Sequence, residues 1–483
     1  MNPKFIPLLI VPPLLGWLFL QLCFRKSQLP LKNLFSFFFA PAAGFALISL
    51  SLFICYVFQP QHARLITVLL PWLYILIFMA LLASKLGHTS EKKLVPCAIQ
   101  SCFSLNHPLT PLKILHTLFN WILLALMIYT FADFIGHVAN YMTWNAHGGW
   151  DARYFWHLKS RFLFRDPEQW RLLFSEDLRW GNNDYPLMVP GIIAWGWHFV
   201  GREALLWPMI VSLVFVCSLG GLVIWYLASW YSWISAFAAG VFFFTLPSYI
   251  FWGGTMYCDI PYAFFSNSAL LLLISALRIK DLRVLALSAF LAGCSAFTKN
   301  EGLVFIGWYG LLAFIALGWD YHHSKKHFFQ SLLAIGSGLL IPLAVCAYFK
   351  IELTGGHANL IGKSSPADIF AALTNWPRNK VIFEGFRIYM ADAKNWNGLW
   401  FIFLAAALYW PIARRVSNRR YTGLLLAAII LINLGYALIF TITPHSIYKH
   451  IETALMRLLL QTGALALVFT FEVFGFRNNS AER

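Results

Sequence analysis

An aspartate in a glycine- and aromatic-rich string is the first residue whose type and setting could support chemistry. The string runs from Gly148 to Arg161 and reads Gly-Gly-Trp-Asp-Ala-Arg-Tyr-Phe-Trp-His-Leu-Lys-Ser-Arg. The carboxylate of Asp151 could take a proton from a hydroxyl as a general base. The same residue would also suit the N-cap of a helix that begins there, without any chemical role. Both interpretations stay open at this point.

Further acidic and aromatic side chains accompany this string. Asp184 precedes Tyr185 and a proline, so it is either a supporting acid or part of a turn that caps a surface helix. Asp259 begins an apolar run and is a second candidate supporting acid. Trp150 is an aromatic candidate for substrate binding or for anchoring at the membrane interface.

Lysines in two of these segments could hold an anionic group such as a phosphate. Lys159 lies in the Asp151 string, where snorkelling towards lipid headgroups is the alternative. Lys299 lies in Thr-Lys-Asn-Glu-Gly, between two apolar runs. Charges so close to a hydrophobic boundary are costly unless they are paired or functional. Lys299 could therefore bind a substrate phosphate, or it could simply pair with Glu301, which is itself a candidate for acceptor binding.

The last segment with candidate chemistry is Pro-His-Ser-Ile-Tyr-Lys-His-Ile-Glu, residues 444–452, which leads into the final apolar run. Arg457 follows in that run and should face the protein interior or a polar cavity, because an arginine in contact with lipid is expensive. Together with His445, Lys449 and His450 it predicts a cationic cluster suited to an anionic headgroup. A His/Asp metal site is a weaker alternative, since the spacing is not diagnostic.

The chain that carries these residues is too apolar for a soluble protein. Of its 483 residues, 59% are hydrophobic and 12% charged, whereas soluble domains have about 45–50% and about 25%. The net charge of +16 resides mainly in short loops between apolar runs, which indicates membrane topology rather than nucleic-acid binding. The fold class predicted is all-α and polytopic, with the lipid bilayer as its surroundings.

Apolar windows predict about thirteen membrane helices. They are placed at 5–23, 34–58, 65–84, 114–134, 205–227, 232–252, 260–277, 283–298, 302–319, 329–349, 397–413, 421–442 and 454–474. The segment 186–200 is also apolar, but a full crossing there would place the later basic loops on the wrong side. It is therefore predicted to be a re-entrant or interfacial helix.

The distribution of lysine and arginine predicts which loops are cytoplasmic. The cytoplasmic loops carry Arg25, Lys26, Lys32, Lys85, Lys92, Lys93, Lys113, Arg278, Lys280, Arg283, Lys325, Lys326, Arg414, Arg415, Arg419 and Arg420. The long loops 135–186 and 351–396 then lie on the outer face, together with the candidate residues. The first contains an interfacial helix that begins at Asp151.

Several motifs together resemble the GT-C glycosyltransferases, closest to the branch of protein O-mannosyltransferases and lipid A aminoarabinose transferases. They are Trp150-Asp151-Ala152, Trp156 to Arg161, Asp184-Tyr185-Pro186-Leu187, Thr298 to Gly302, and the late Arg457. The resemblance covers residues 114–475, preceded by an added N-terminal unit at 1–113 and followed by a cytoplasmic tail at 476–483. It implies a bacterial inner membrane with a periplasmic active site.

The resemblance also implies an inverting transfer from a polyprenyl-phosphate sugar to a hydroxyl acceptor of unknown identity. Asp151 maps onto the family's base, with Asp184 or Asp259 as a supporting acid, since Ala152 stands where some relatives have a second acid. Lys299 and Arg457, then Lys159 and His450, would bind the donor phosphate, and Tyr185, Glu301 and Trp150 the acceptor side. No cofactor is implied, and a divalent metal is left open.

Two other classes of function compete with this hypothesis. A transporter or flippase of a lipid-linked saccharide would also place charges in an apolar fold, but such proteins often have repeated halves and interrupted helices. A noncatalytic scaffold would leave the Asp151 string and Arg457 unexplained. Loss of activity in Asp151→Asn separates an enzyme from a scaffold.

Overall fold

The computed structural model describes residue 3 and residues 5–84, 111–354, 365–413, 418–444 and 446–475. Within these ranges the chain is helical and contains no strand. The predictions that concern Lys85, Lys92, Lys93, Arg414, Arg415, His445 and the tail 476–483 lie outside them.

Ten helices in the described part are long and apolar enough to cross a membrane. They are α1 (Phe5–Phe24), α2 (Lys32–Phe58), α3 (Ala63–Ala83), α4 (Pro111–Trp144), α7 (Leu206–Trp230), α10 (Asp259–Ile279), α12 (Glu301–Tyr321), α13 (Lys325–Tyr348), α18 (Arg419–Ile442) and α19 (Ile447–Phe474), numbered in chain order with the helices given below. Each coincides with a predicted span. The protein is thus an all-α polytopic membrane protein.

The other three predicted spans are not straight full-length helices. The span at 232–252 is two helices, α8 (Trp233–Phe244) and α9 (Pro247–Gly254), with a bend of 59° between them. Proline cannot donate its backbone nitrogen, so Pro247 begins a new helix instead of continuing the first. The remaining two are α11 (Leu282–Ala296), with 15 residues, and α17 (Leu399–Tyr409), with 11, both below the ~20 residues of a perpendicular crossing.

Helix α10 is the centre of the bundle, since its whole apolar window is buried. It packs on α7, α11 and α19. Helices α10 and α19 run in the same direction. Asp259, the first residue of α10, approaches Arg457 in the third turn of α19, and Arg278 approaches Glu472 in the last turns of the two helices (Nη2 to Oε1, 3.7 Å). Charged side chains therefore join these helices at both ends of the bundle.

The first predicted unit is packed into the rest of the protein. The Ser49 hydroxyl of α2 donates to the carbonyl of Met188 (2.7 Å), and the Ser218 hydroxyl of α7 donates to the carbonyl of Phe38 in α2 (2.7 Å). Met188 begins α6 (Met188–Val200), which is largely buried. With 13 residues, α6 is shorter than a full membrane crossing requires.

The first outer segment is shorter than predicted, since α4 continues to Trp144 rather than ending near residue 134. The predicted helix near Asp151 is present as a π-helical turn (Ala152–Trp156) followed by α5 (His157–Arg165). Asp151 is not its N-cap, because its backbone is already helical and its side chain makes no capping hydrogen bond. Trp156 is buried.

The second outer segment contains short helices: α14 (Pro366–Thr374), α15 (Trp376–Met390) and α16 (Ala393–Trp396). A capping box of Ser365 and Asp368 starts α14. Arg378 in α15 donates through Nη2 to the carbonyls of Phe440 (2.9 Å) and Thr443 (2.8 Å) at the end of α18. A guanidinium there complements the negative end of the helix dipole, which fixes α15 on the C-terminal end of α18.

Candidate active site at the outer end of the bundle

Two glycines position Asp151 against the helix pair α9 and α10. Gly148 has a φ of +75°, and a Cβ on it would lie 2.5 Å from the Ala152 Cβ and 2.8 Å from the Thr255 carbonyl oxygen. The Gly149 amide donates to the same Thr255 oxygen (3.0 Å). The π-helical turn follows immediately, and such turns are frequent at functional sites. Glycine is required at 148 by both backbone conformation and space.

We expect Gly148→Ala to displace Asp151 and to reduce activity, because the added methyl group collides with a backbone carbonyl. Gly201→Ala is the matched control, since Gly201 has a φ of +80° with no atom near its Cβ position. Both variants should carry a conformational penalty of about 1 kcal/mol, but only Gly148→Ala should lower activity at equal folded fraction. Equal activities in the two folded variants would contradict this role of Gly148.

Residues predicted as site candidates converge in one ion-pair cluster. Arg457 Nη1 binds Asp151 Oδ2, across 306 positions of sequence, and lies 3.8 Å from Asp259 Oδ2. Lys299 Nζ lies 2.8 Å from Asp259 Oδ1 and 2.8 Å from Glu301 Oε1. We call these five residues the outer cluster. The predicted pairing of Lys299 with Glu301 is present, and Lys299 also pairs with Asp259.

The outer cluster has a buried half and an accessible half. The side chains of Lys299, Asp259 and Glu301 are 5%, 2% and 8% exposed, whereas those of Arg457 and Asp151 are 18% and 20% exposed. A substrate therefore meets the Asp151–Arg457 pair first. Burial alone would lower the pKa of Lys299, but its two carboxylate partners outweigh burial and raise that pKa above its ordinary value, so Lys299 is a permanent cation.

A hydrogen-bonded chain that the sequence analysis missed holds Asp259 in place. Gln461 Nε2 donates to Asp259 Oδ1 (2.9 Å), and the Tyr436 hydroxyl donates to Gln461 Oε1 (2.6 Å). Gln461 lies one helical turn after Arg457 on the same face of α19. A polar residue four positions after Arg457 in an apolar run could have indicated Gln461 from the sequence. Tyr436 could not be identified in this way, because no feature of the sequence distinguishes it from the other tyrosines.

Aromatic rings form the wall beside the arginine. The guanidinium carbon of Arg457 lies 5.3 Å from the centre of the Tyr257 ring and 5.9 Å from that of Trp252. Such contacts stabilise a guanidinium without neutralising its charge. Burial raises the pKa of Tyr257 above its ordinary value, so this phenol is neutral at pH 7. Neither residue was a candidate in the sequence.

The buried Lys159 holds the first outer segment instead of lining the cluster. Lys159 Nζ donates to the carbonyls of Asn182 (2.6 Å) and Tyr185 (2.9 Å). Burial lowers the pKa of Lys159 to about 7, so its amine carries only part of a charge near neutrality. These contacts hold the loop 182–185 against α5, and we call this set of hydrogen bonds the brace. Because the Lys159 amine is engaged in the brace, it is a weaker candidate for a phosphate ligand.

Asp184 belongs to the same brace. Asn300 Nδ2 donates to Asp184 Oδ2 (2.7 Å), and Lys350 Nζ donates to Asn300 Oδ1 (2.6 Å) and to the Asp184 carbonyl. Asn300 stands between Lys299 and Glu301 in sequence, so this brace and the outer cluster share one turn of backbone. Asp184 thus positions the segment next to the cluster.

The remaining predicted residues lie around this centre. The Tyr185 ring packs edge-on against Trp156 (5.2 Å between centres), and burial raises the pKa of Tyr185. Trp150 is 66% exposed, with its ring against Tyr154. The His450 ring packs on the Phe440 ring (4.9 Å between centres).

The described residues contain no group of three histidine, cysteine or acidic side chains that could hold a metal ion. The carboxylates of the outer cluster instead face cations of the protein. Comparisons with known proteins return no matching family model, no matching curated protein and no matching solved structure.

Proposed function

We propose that this protein is an inverting membrane glycosyltransferase that moves a sugar from a polyprenyl-phosphate carrier to a hydroxyl acceptor at the outer face of the membrane. The observation that carries the proposal is the accessible pairing of a carboxylate with an arginine, Asp151 with Arg457, at one end of a membrane bundle. This pair supplies the two groups that such a transfer needs, a base for the acceptor and a cation for the leaving phosphate.

The reaction we assign to the site is a single displacement. The acceptor oxygen forms a bond to the anomeric carbon from the side opposite the phosphate, and its proton goes to the Asp151 carboxylate. The bond between the anomeric carbon and the phosphate oxygen breaks, and its electron pair leaves with the lipid phosphate. Arg457 stabilises that negative charge, with Lys299 behind it. Attack from the opposite side inverts the anomeric configuration.

Hydrogen-bonding capacity in the cluster is not fully used by the protein. Arg457 Nε and Glu301 Oε2 are buried and have no hydrogen-bond partner among the described residues. Unsatisfied buried groups of this kind are rare and often mark functional sites. Arg457 Nε is suited to a phosphate oxygen, and Glu301 Oε2 is suited to a sugar or acceptor hydroxyl.

An apolar groove along α18 favours a lipid-linked donor over a soluble nucleotide sugar. The groove has a volume of about 430 Å³ and lies between α15, α17 and α18, with Phe383, Phe386, Trp400 and Leu434 among its lining residues. Asn433 in its wall donates to the Thr462 hydroxyl (3.1 Å), next to Gln461. A chain in the groove would therefore run along α18, whose Tyr436 holds Gln461 and, through it, Asp259.

We expect the groove-filling variant Ala437→Phe to raise the KM for a polyprenyl-phosphate sugar by about tenfold, since loss of contact for two methylene groups costs about 0.8 kcal/mol each. Ala437 lines the groove. Leu438→Phe is the control, because Leu438 is the next residue, is 41% exposed and is not among the lining residues. Steady-state transfer in detergent micelles gives both constants, and an unchanged KM in Ala437→Phe would argue against this donor path.

A transporter of the same lipid-linked saccharide is the second candidate function. The bend of 59° between α8 and α9 is the specific observation in its favour, because transporters place substrates at interrupted helices. Movement of the intact donor across a vesicle membrane, without release of lipid phosphate, distinguishes transport from transfer.

The sidedness and host belong to the proposal as well. The ion pairs of the outer cluster lie at the end of the bundle that the lysine and arginine distribution places outside, which we infer to be the periplasmic face of a bacterial inner membrane. The sugar acceptor there would be a glycan, a lipid or a protein with a free hydroxyl group.

A further inference from the structure

The charges of the outer cluster raise a difficulty for any anionic substrate. The cluster holds two cations and three carboxylates, so its formal net charge is −1 and each cation already has a carboxylate partner. Arg457 Nε is still available for one hydrogen bond, but the negative net charge opposes a phosphate unless one of these carboxylates gives up its cation. Which pair opens is decided by burial and by the partners that each carboxylate would keep.

The buried pairs are poorly suited to opening. Asp259 shares its Oδ1 between Lys299 and Gln461, and Lys299 also holds Glu301. Separation of these groups would leave charges in a nearly dry environment, which costs several kcal/mol. The Lys299 side of the cluster is therefore fixed during the reaction.

The Asp151–Arg457 pair has the opposite properties. Both side chains are about one-fifth exposed, so water can solvate a released carboxylate. Asp151 lies between the two glycines and the π-helical turn, where a small backbone shift disturbs little packing. Arg457 would keep its aromatic wall and its approach to Asp259. Its planar fork suits two phosphate oxygens better than a single carboxylate oxygen.

We propose that Asp151 is a latch on Arg457 that the donor phosphate displaces, so that binding of the donor frees the base. This inference rests on the proposed function and adds an order of events to it. While Arg457 holds Asp151, the Oδ2 atom of the carboxylate is occupied by the guanidinium and cannot contact an acceptor hydroxyl. Once phosphate takes the guanidinium, that oxygen is free to accept the hydrogen of the acceptor. The base is thus active only when a donor is present.

The latch predicts that removal of a supposed catalytic residue strengthens ligand binding. We expect Asp151→Asn to bind farnesyl phosphate about tenfold more tightly than the wild type, as it would if Asp151 occupies Arg457 about nine-tenths of the time. Isothermal titration or microscale thermophoresis of the full chain in detergent measures this. Asp151→Ala serves as a second variant, and thermal unfolding establishes that each is folded.

Two controls distinguish competition from a general change of charge. Glu203→Gln removes a carboxylate that is similarly exposed (23%) and paired with Arg161 (3.1 Å), but lies outside the cluster, so the affinity should not change. Glu301→Gln removes the same charge inside the cluster without touching the Arg457 pair. An increase in Glu301→Gln equal to that in Asp151→Asn would indicate a field effect and overturn the latch.

The remaining outcomes are equally decisive. Equal or weaker binding of farnesyl phosphate in both folded Asp151 variants would overturn the proposal, as would the absence of binding in every variant. Inorganic phosphate in place of farnesyl phosphate should show the same order of affinities, because the competition concerns the headgroup alone. The binding assay needs no transfer, so it remains informative if the protein is a transporter and the proposed reaction fails.

Discussion

Asp151→Asn is expected to lower the rate of sugar transfer by about 10²–10⁴-fold, the range that a general base contributes. The amide keeps the shape of the side chain and can still accept a hydrogen bond from Arg457, but it cannot take a proton from the acceptor. Because the same variant is predicted to bind lipid phosphate more tightly, kcat should fall while the KM for the donor does not rise. A lower kcat without a higher KM indicates the loss of a base, whereas the loss of a binding site would raise the KM.

The control for the expected loss of transfer activity is a second carboxylate that the structure shows paired with an arginine. Glu203→Gln removes a half-buried, arginine-paired carboxylate of the same outer region and should retain full activity. Folding of Asp151→Asn is checked by thermal unfolding, since Asp151 is ion-paired and 20% exposed rather than a free surface residue. Transfer by a folded Asp151→Asn at the wild-type rate would exclude Asp151 as the base.

Lys299→Met is expected to destabilise the protein by about 3–5 kcal/mol, the usual cost when one partner of a buried ion pair is removed. The substitution leaves Asp259 and Glu301 without their shared cation, and both side chains are less than one-tenth exposed. The expected observation is a large drop in the thermal unfolding midpoint in detergent and a smaller folded fraction in size-exclusion chromatography.

Two controls accompany this prediction: a variant that breaks an exposed ion pair, and a variant that also removes the two carboxylates left unpaired. Arg179→Ala breaks a pair with Glu176 in which the two side chains are 59% and 79% exposed, so it should cost less than about 1 kcal/mol. Addition of Asp259→Asn and Glu301→Gln to Lys299→Met should recover much of the loss, since the unpaired charges are then gone. A Lys299→Met protein as stable as the wild type would show that these ion pairs do not hold the outer end together.

The sequence was informative about the outer cluster because charges inside apolar runs are costly and therefore stand out. Asp259, Lys299, Glu301 and Arg457 were identified in this way, and the structure brings them together with Asp151. Lys350 was missed, since a lysine just after the end of an apolar helix usually snorkels to the headgroups. Tyr257 could not be identified as a site residue from the sequence, because the chain contains so many other aromatic residues.

The limits of prediction in the fold have a similar physical origin. Hydropathy windows located the long helices correctly because each needs about 20 apolar residues. The same windows cannot detect a bend such as that before Pro247, nor a short buried helix such as α11, because both are as apolar as a full crossing. Asp151 was compatible with an N-cap because capping depends on backbone angles, which a single residue type does not determine.

Release of polyprenyl phosphate from lipid-linked sugars is the measurement that tests the central claim most directly. The purified protein, in detergent or in vesicles, is incubated with a panel of polyprenyl-phosphate sugars and envelope acceptors, and lipid phosphate and modified acceptor are quantified. The account predicts that the wild type releases lipid phosphate in step with sugar transfer and that Asp151→Asn does not. Binding or movement of the intact donor by both proteins, with no release by either, would contradict the transferase and favour the transporter.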